Sequence, residues 1–543
     1  MAITFLCLKT SNNYEENPFA VLVKTGKNNQ VIELYKDEMG ESYFIFLPSY
    51  ADEKNTRIRI LTTLPVYLDD TKLKEGSDFE DINFDHPYSL KVGDNELGTV
   101  SFMHSSNIAS VFITTSKRDL SLLSSDKNAF DTGEISIIDE TGDVEYSGEL
   151  KSISGRGNQS WFFDKKPWSI HLPREVGLLG MRNSDKWNLI ANLCDDTDGL
   201  RNMAAHYMAA QANMEFVSQQ RFIDLYINST YYGIYQLVEK TEEKQDKLDI
   251  GDLDLENLFV NGRVLDVETI ERYTEYGEDE LPAFSYSMNV KSPEDISGGY
   301  IIERNYGYKL EEKPHLFTSS RNETFVVRYP SVVNKEELNY ICSIVQNFED
   351  ALFDDDYRNP ETGKGVWELA DLDSFVKKFL VEETSKNSGA AVTSSYYYKK
   401  RGDDKLYAGP VWDFDKSFGN YYVWENYEGL SLGLLHDDVK TFWYEKIYEN
   451  EEARDLIEKY YADLIRPSVK EITGTLIDEW ADQIRDSYNM NSTRWHYLLK
   501  NDPDYYKQLG LQYCFDLNEA AGYLKDWTNS RLAYLDKIWL DED

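Results

Sequence analysis

The stretch Ala408-Gly409-Pro410-Val411-Trp412-Asp413-Phe414-Asp415-Lys416-Ser417-Phe418-Gly419-Asn420 joins an extended apolar run to two carboxylates spaced i and i+2 and then to a glycine. Tyr396-Tyr397-Tyr398 reads as a strand that turns at Arg401-Gly402-Asp403-Asp404 into a second one, Lys405 to Trp412, which delivers Asp413 and Asp415 at its C-terminal end. Such a pair suits the grip on a hard divalent cation beside a loop that turns sharply. The same pattern also serves as a turn cap or salt-bridge acceptor, so spacing alone leaves both uses open. Upstream, Asp373 is placed to cap a helix whose Phe375, Val376, Phe379, Leu380 and Glu383 share one face, and that helix is expected to end near Asn387. Downstream, Glu451 to Ile465, Val469 to Tyr488 and Leu517 to Leu535 read as a helical tail.

Towards the N-terminus the periodicity changes from helix to strand. Arg221 to Asn228 and Tyr231 to Val238 read as a hairpin turning at Ser229-Thr230, and Val111 to Thr114 and Gly133 to Ile138 as strands. Gly155-Arg156-Gly157-Asn158-Gln159-Ser160-Trp161 precedes Asp164-Lys165-Lys166-Pro167-Trp168-Ser169-Ile170-His171-Leu172. Glycines on both sides of Arg156 let backbone amides approach an anion, and a lysine on the following strand is placed to meet phosphate oxygens. A tight turn leading into a basic strand start explains the same residues without a ligand. Residues 1–108 hold short strands, among them Phe19 to Lys24, Tyr43 to Leu47, Thr56 to Thr62 and Ser89 to Val92, at the turn spacing of an immunoglobulin-like β-sandwich. The expected division is therefore an accessory domain over 1–108 and a second domain over 109–543, with an acidic surface insertion at about 241–295. Asp249, Asp252 and Asp254 in that insertion lack the glycine an EF-hand loop needs.

The chain has 543 residues, 41% hydrophobic and 14% aromatic, enough apolar surface for a folded core. Its net charge of −40 opposes nucleic acid and anionic membranes and suits the solvated surface of a secreted protein. Cys7, Cys194, Cys342 and Cys514 stand far apart, neither a zinc motif nor a disulfide framework, and are expected to be buried free thiols. No apolar run reaches the ~18 to 20 residues of a transmembrane helix, and the opening residues lack the basic start of a signal peptide. His171, His206, His315, His436 and His496 fall in no nucleophile motif, which leaves hydrolase chemistry unsupported.

Several further blocks follow in order. They are Lys186-Trp187-Asn188-Leu189-Ile190-Ala191-Asn192 leading to Leu200-Arg201-Asn202, Gly233-Ile234-Tyr235-Gln236-Leu237-Val238-Glu239-Lys240, and Gly298-Gly299-Tyr300-Ile301-Ile302-Glu303. Together with the Arg156 segment and Trp412-Asp413-Phe414-Asp415 they resemble the CotH family, the spore coat protein H group of atypical kinases, over roughly Val111 to Leu535. The resemblance implies an α+β fold, a bilobal protein-kinase-like module preceded by the all-β immunoglobulin-like sandwich. It also implies ATP, Mg²⁺ or Mn²⁺, and phosphoryl transfer to Ser or Thr of secreted or cell-surface proteins, in an extracellular or surface location.

Catalysis of that kind is mainly positioning and charge neutralisation. Carried over by position, Lys166 is the phosphate lysine with Glu239 as its candidate partner, Arg156 lies over the phosphates, Asp413 takes the metal, and Asp415 supports it. The sequence departs from the family where Asn-x-Asp is expected to supply the base for the acceptor hydroxyl. Lys386-Asn387-Ser388-Gly389 puts glycine at that place. Loss of a general base commonly costs ~10² to 10⁴ in rate. Three readings follow: a slow kinase in which Asp415 or a water replaces the base, a pseudokinase that keeps nucleotide or metal, or a surface module that binds protein or glycan. Adjacent aromatics such as Tyr396-Tyr397-Tyr398 suit sugar stacking, and equally a strand with one face in the core.

Overall fold

The structure is a computed structural model; it describes the chain except at residues 1–17, 26–27, 38–39, 41, 74–81, 242–246, 264, 266–269, 278–280, 306–313, 391–392, 422–424, 431–442, 496–513, 515 and 541–543. It is a mixed α and β protein with all-β sheets towards the N-terminus and a helical C-terminal region. Two compact units divide it. The first comprises Met1–Asp198, Gln219–Lys240 and Glu479–Tyr506, and the second Gly199–Ser218, Thr241–Asp478 and Lys507–Asp543.

The centre of the first unit is a closed seven-stranded barrel. Its strands, in spatial order, are Ala109–Thr115, Phe130–Ile138, Val144–Gly155, Trp168–Gly177, Asn183–Ile190, Thr230–Glu239 and Gln220–Ile227, the last pairing back in parallel with the first. Alternate residues point inward, so Val111 and Ile113, Ile135 and Ile137, Trp168 and Ile170, Trp187 and Leu189, and Tyr235 and Leu237 fill one core. Trp168 and Trp187 are fully enclosed. Burying a side chain of that size contributes about 4 to 6 kcal/mol before the entropy of ordering it is set against it. The hairpin Gln220–Ile227/Thr230–Glu239 forms as read, with the turn one residue earlier, because Asn228 and Ser229 take the left-handed conformations that a two-residue hairpin turn needs.

The N-terminal strands form a three-stranded sheet, built on Phe19–Thr25, Asn28–Glu33 and Thr56–Ile60, and a six-stranded one that includes Ser42–Leu47, Tyr88–Val92 and Asn95–His104. Their core continues into barrel residues that face outward, Phe112, Ile138, Tyr226 and Tyr231. Phe46 lies 4.8 Å from the Tyr231 ring, and the Tyr226 hydroxyl donates to the Phe46 carbonyl at 3.1 Å. The compact units accordingly divide the chain elsewhere than at residue 108.

The second unit holds a seven-stranded antiparallel sheet in the order Arg272–Tyr276, Pro282–Ser287, Leu316–Thr318, Thr324–Tyr329, Tyr300–Arg304, Ser395–Lys399 and Leu406–Ala408. Helices Leu200–Gln211, Lys335–Leu352, Leu372–Ser385, Trp443–Glu449 and Leu517–Trp539 belong to the same unit. Phe325, Phe348, Phe375, Tyr397 and Trp443 form a ring-to-ring cluster between sheet and helices. The segment expected to be a surface insertion contributes two strands of this sheet and the buried Leu248, Ile250 and Leu253. Its Asp252 caps the helix Leu253–Val260, and Asp254 accepts from Ser331, which gives both carboxylates structural duties. The helical tail runs from Glu451 through two π-helical turns to Arg494, without the expected break before Val469.

Cys194 is buried, Cys342 and Cys514 are partly buried, and all three are free thiols; Cys7 lies outside the described residues. Among the described residues no helix is long and apolar enough to cross a membrane.

Candidate functional site

In the first unit, the Arg156 segment is a closed turn at one end of the barrel. Gly155 pairs with Trp168, and the Trp161 indole lies so close over it that a β-carbon there would sit 2.3 Å from the ring. Only glycine lets the strand end under that indole. The Arg156 amide donates to the Pro167 carbonyl at 3.2 Å, and the Lys127 ammonium holds the Gly157 carbonyl at 3.1 Å. Lys166 donates to the Trp161 carbonyl at 2.6 Å and lies 4.8 Å from the same indole. Partial burial pulls its pKa down, while Asp164 opposes the shift. Arg156 and Lys166 thus stand on the two arms of one turn.

Glu239 does not join them. Its fully buried carboxylate takes the Arg182 guanidinium and, at 2.7 Å, the Gln219 amide. Register explains the outcome. Trp187 pairs with both Ile170 and Glu239, which puts Glu239 level with Ile170, while Lys166 precedes Ile170 by four residues, up to about 13 Å of extended chain. The Lys166 carbonyl instead accepts from the Tyr235 hydroxyl at 2.8 Å. The expected Lys166–Glu239 pair is replaced by Arg182–Glu239, for which no motif in the sequence gave a signal.

In the second unit, Asp413 and Asp415 lie on a loop five residues and more past the end of the strand Leu406–Ala408, which is shorter than expected. Asp413 has φ +71° and an exposed side chain. Its Oδ2 accepts the Ser394 hydroxyl at 3.0 Å. Phe414 is buried, and its amide donates to Asn202 Oδ1 at 3.0 Å. His206 packs edge-on against both Trp412 and Phe414 and bonds the Asn202 carbonyl through Nδ1 at 2.8 Å. Burial lowers its pKa, so the ring supports the loop as a neutral group. Asp415 is half-buried, and its carbonyl accepts from the Asn420 side chain.

The chain before the Tyr-rich strand meets this loop. The helix Leu372–Ser385 is capped by Asp371, whose carboxylate takes the Ser374 amide; Asp373 lies in the first turn and bonds Tyr460 and Lys377. At its far end Lys378, Glu382 and Asn387 form a buried relay, with Lys378 on one carboxylate oxygen of Glu382 and the Asn387 amide on the other, each at 2.8 Å. Asn387 Oδ1 then accepts the Gly389 amide at 3.0 Å. Among the described residues, a β-carbon on Gly389 would meet nothing nearer than 3.5 Å, and it would lie 3.9 Å from the Asp413 carbonyl. Its φ is outside the left-handed region, so the backbone does not require glycine here. Glu303, fully buried on the strand Tyr300–Arg304, accepts the Ser394 amide at 3.0 Å and the Thr393 hydroxyl at 3.3 Å, with Arg328 on its other oxygen. Glu303, Ser394 and Asn202 are the residues of this site to which sequence reasoning gave no role.

Among the described residues no three His, Cys, Asp or Glu side chains gather as a ready metal cage. Mg²⁺ needs no such cage, since it commonly takes one or two carboxylates and completes its shell with water and phosphate. An exposed Asp413 with one oxygen steadied by a hydroxyl fits that donor set. His436 and His496 lie outside the described residues; His315 Nε2 stands 2.7 Å from the Ser287 hydroxyl, a buried pair within the sheet.

A family model described as CotH kinase protein matches residues 153–535, well over half of the chain, and the protein belongs to that family. No curated protein matches it.

Proposed function

We propose that this chain is a kinase-type CotH module that holds ATP and Mg²⁺ or Mn²⁺ and whose phosphoryl transfer to secreted or surface proteins is weakened or lost. On this reading the two compact units correspond to the two lobes of a protein-kinase-like fold, with the N-terminal strands as an immunoglobulin-like accessory layer and an extracellular or cell-surface setting. Arg156 and Lys166 offer positive charge and a closed turn to phosphate oxygens. Asp413 is the metal carboxylate, and Asp415 stiffens the loop that carries it. Bound metal and nucleotide supply the reactive phosphoryl group and the neutralisation of its charge. Glu239 acts on the barrel through Arg182.

The observation that carries the reading is Gly389. It occupies a position beside the Asp413 loop where a β-carbon would make only ordinary contacts with the described residues, fixed by the Lys378–Glu382–Asn387 relay, where the acceptor hydroxyl's base is expected and glycine stands instead.

Thermal unfolding with ATP and Mg²⁺ or Mn²⁺ tests it, because a ligand bound only by the folded state raises stability, by about 2.7 kcal/mol at one hundred times its Kd. The wild type is expected to shift upward and Asp413→Ala to lose the shift. No shift at millimolar ATP would overturn the nucleotide reading and leave a surface module that binds protein or glycan as the better account.

A further inference from the structure

Lys165, next to the lysine discussed above, faces the other way. Its side chain is fully enclosed in the first unit, where Nζ donates to the Ile234 carbonyl at 2.8 Å and lies 5.0 Å from the Tyr235 ring. Asp198 Oδ1 is 3.6 Å from that nitrogen, and its Oδ2 accepts the Asn491 side-chain amide at 2.9 Å. One buried carboxyl group therefore touches both an amine and a carboxamide. The amine and carboxamide also share a neighbour, since a β-carbon on Gly233 would sit 2.3 Å from Asn491 Oδ1 and 3.2 Å from Lys165 Cε. Glycine at 233 is what lets the two side chains converge there. Asn491 Oδ1 is buried and, among the described residues, accepts no hydrogen bond. A buried polar atom left in that state is costly and unusual.

We infer that Lys165 and Asn491 condense into an intramolecular isopeptide cross-link, with Asp198 as the group that moves the protons. Burial lowers the pKa of the Lys165 amine and raises that of the Asp198 carboxyl, which favours the neutral pair over the ion pair. An uncharged amine has the lone pair that an ammonium lacks. Nζ forms a bond to Cγ of Asn491 while Asp198, which touches both nitrogens, relays a proton from the attacking amine to Nδ2. The tetrahedral centre collapses, the bond from Cγ to Nδ2 breaks, and that nitrogen leaves as ammonia after taking a proton that came from the lysine amine. Asp198 ends as it began. A primary amine and a primary amide give a secondary amide and ammonia, with no oxidant, reductant or other reactant. The bond would tie the approach to strand Trp168–Gly177 to helix Ile477–Arg494, closing a very long loop and so removing much of the freedom of the unfolded chain.

Intact mass spectrometry of the denatured full chain, fresh and after days at neutral pH, tests this. The expected result is a mass lower than that of the sequence by one ammonia, with a branched proteolytic peptide joining Lys165 to Asn491. Asp198→Ala and Asn491→Ala are each expected to recover the full side-chain complement and lose the branched peptide. A wild-type chain of unmodified mass that yields Lys165 and Asn491 in separate peptides overturns the inference without reference to any variant. So does ammonia loss confined to a linear peptide, which is a succinimide, and so does loss of water with a branch to Asp198.

Discussion

Asp224 in the barrel unit and Asp413 in the sheet-and-helix unit are both acids held by a serine hydroxyl, and they have opposite surroundings. Asp224 is fully buried; it accepts from Tyr231 at 2.8 Å and from Ser487 at 2.9 Å, and Ser487 is itself 2.7 Å from Ser105. Three separated stretches of chain thus meet on one carboxyl group. Asp413 is exposed, is held at 3.0 Å by Ser394, and stands near a glycine that leaves space. An acid enclosed by donors fixes the shape of the molecule and pays for its burial in proton affinity. An acid at the end of a short loop, with water on one side, is placed to take a ligand.

The largest effect is expected from filling that space. Gly389→Asp puts a carboxylate where the acceptor's base is expected and should raise phosphoryl transfer from ATP by about 10² to 10⁴. It should do so within about 0.5 kcal/mol of wild-type stability, the usual range for a change that meets no close neighbour. Radiolabelled phosphate transfer to an added Ser- or Thr-containing protein, with chemical denaturation alongside, measures both. A variant that folds normally and remains inactive would show that more than this base is missing. One that unfolds would show that the space is not open and would break the contrast with Asp224.

Much of this was legible in the sequence, for reasons that differ by element. The hairpin at 220–239 could be read because alternation with a period of two leaves a clear trace, and the Asp413 loop because its residues are contiguous. Asn202 could not, since its bond to Phe414 spans 212 positions and only the fold brings the two together. Lys166 and Glu239 share a barrel, but pairing register decides which residues stand level, and register is not written in either motif. Asp371 and Asp373 both precede the apolar face of one helix, and only the backbone geometry selects Asp371 as the cap. The segment from 241 to 295 looked like an insertion because its buried Leu248, Ile250 and Leu253 are interspersed with acids that carry caps and turns.

The enclosed side of the contrast predicts a pH dependence. Burial raises the Asp224 pKa to about 6, against the opposing hydrogen bonds of Ser105, Tyr231 and Ser487 and the charge of Lys165. A carboxyl whose folded pKa lies above its unfolded value contributes stability that is complete below the unfolded value, about 3.9, and is lost as pH rises through about 6. Asp224→Asn should therefore remove one component of the pH dependence between those limits. When denaturant unfolding of both proteins is compared at about pH 4.5 and about pH 7.5, the wild type should gain relative to the variant at the lower pH. Equal differences at the two pH values would mean that Asp224 does not carry this linkage.

The smallest effect belongs to the exposed side. Ser394→Ala removes the hydroxyl that steadies Asp413 but leaves the backbone amide that bonds Glu303, so the strand start stays anchored. One hydrogen bond to a partly solvated carboxylate is worth about 1 kcal/mol, or roughly a fivefold change in an equilibrium constant. Mn²⁺ affinity, followed by the loss of the free ion's paramagnetic resonance signal, should weaken by about that factor while thermal stability without metal stays nearly unchanged. A much larger loss would make the serine oxygen itself a metal ligand. An unchanged affinity would mean that the loop backbone, through Phe414 and Asn202, orients Asp413 without help from the hydroxyl.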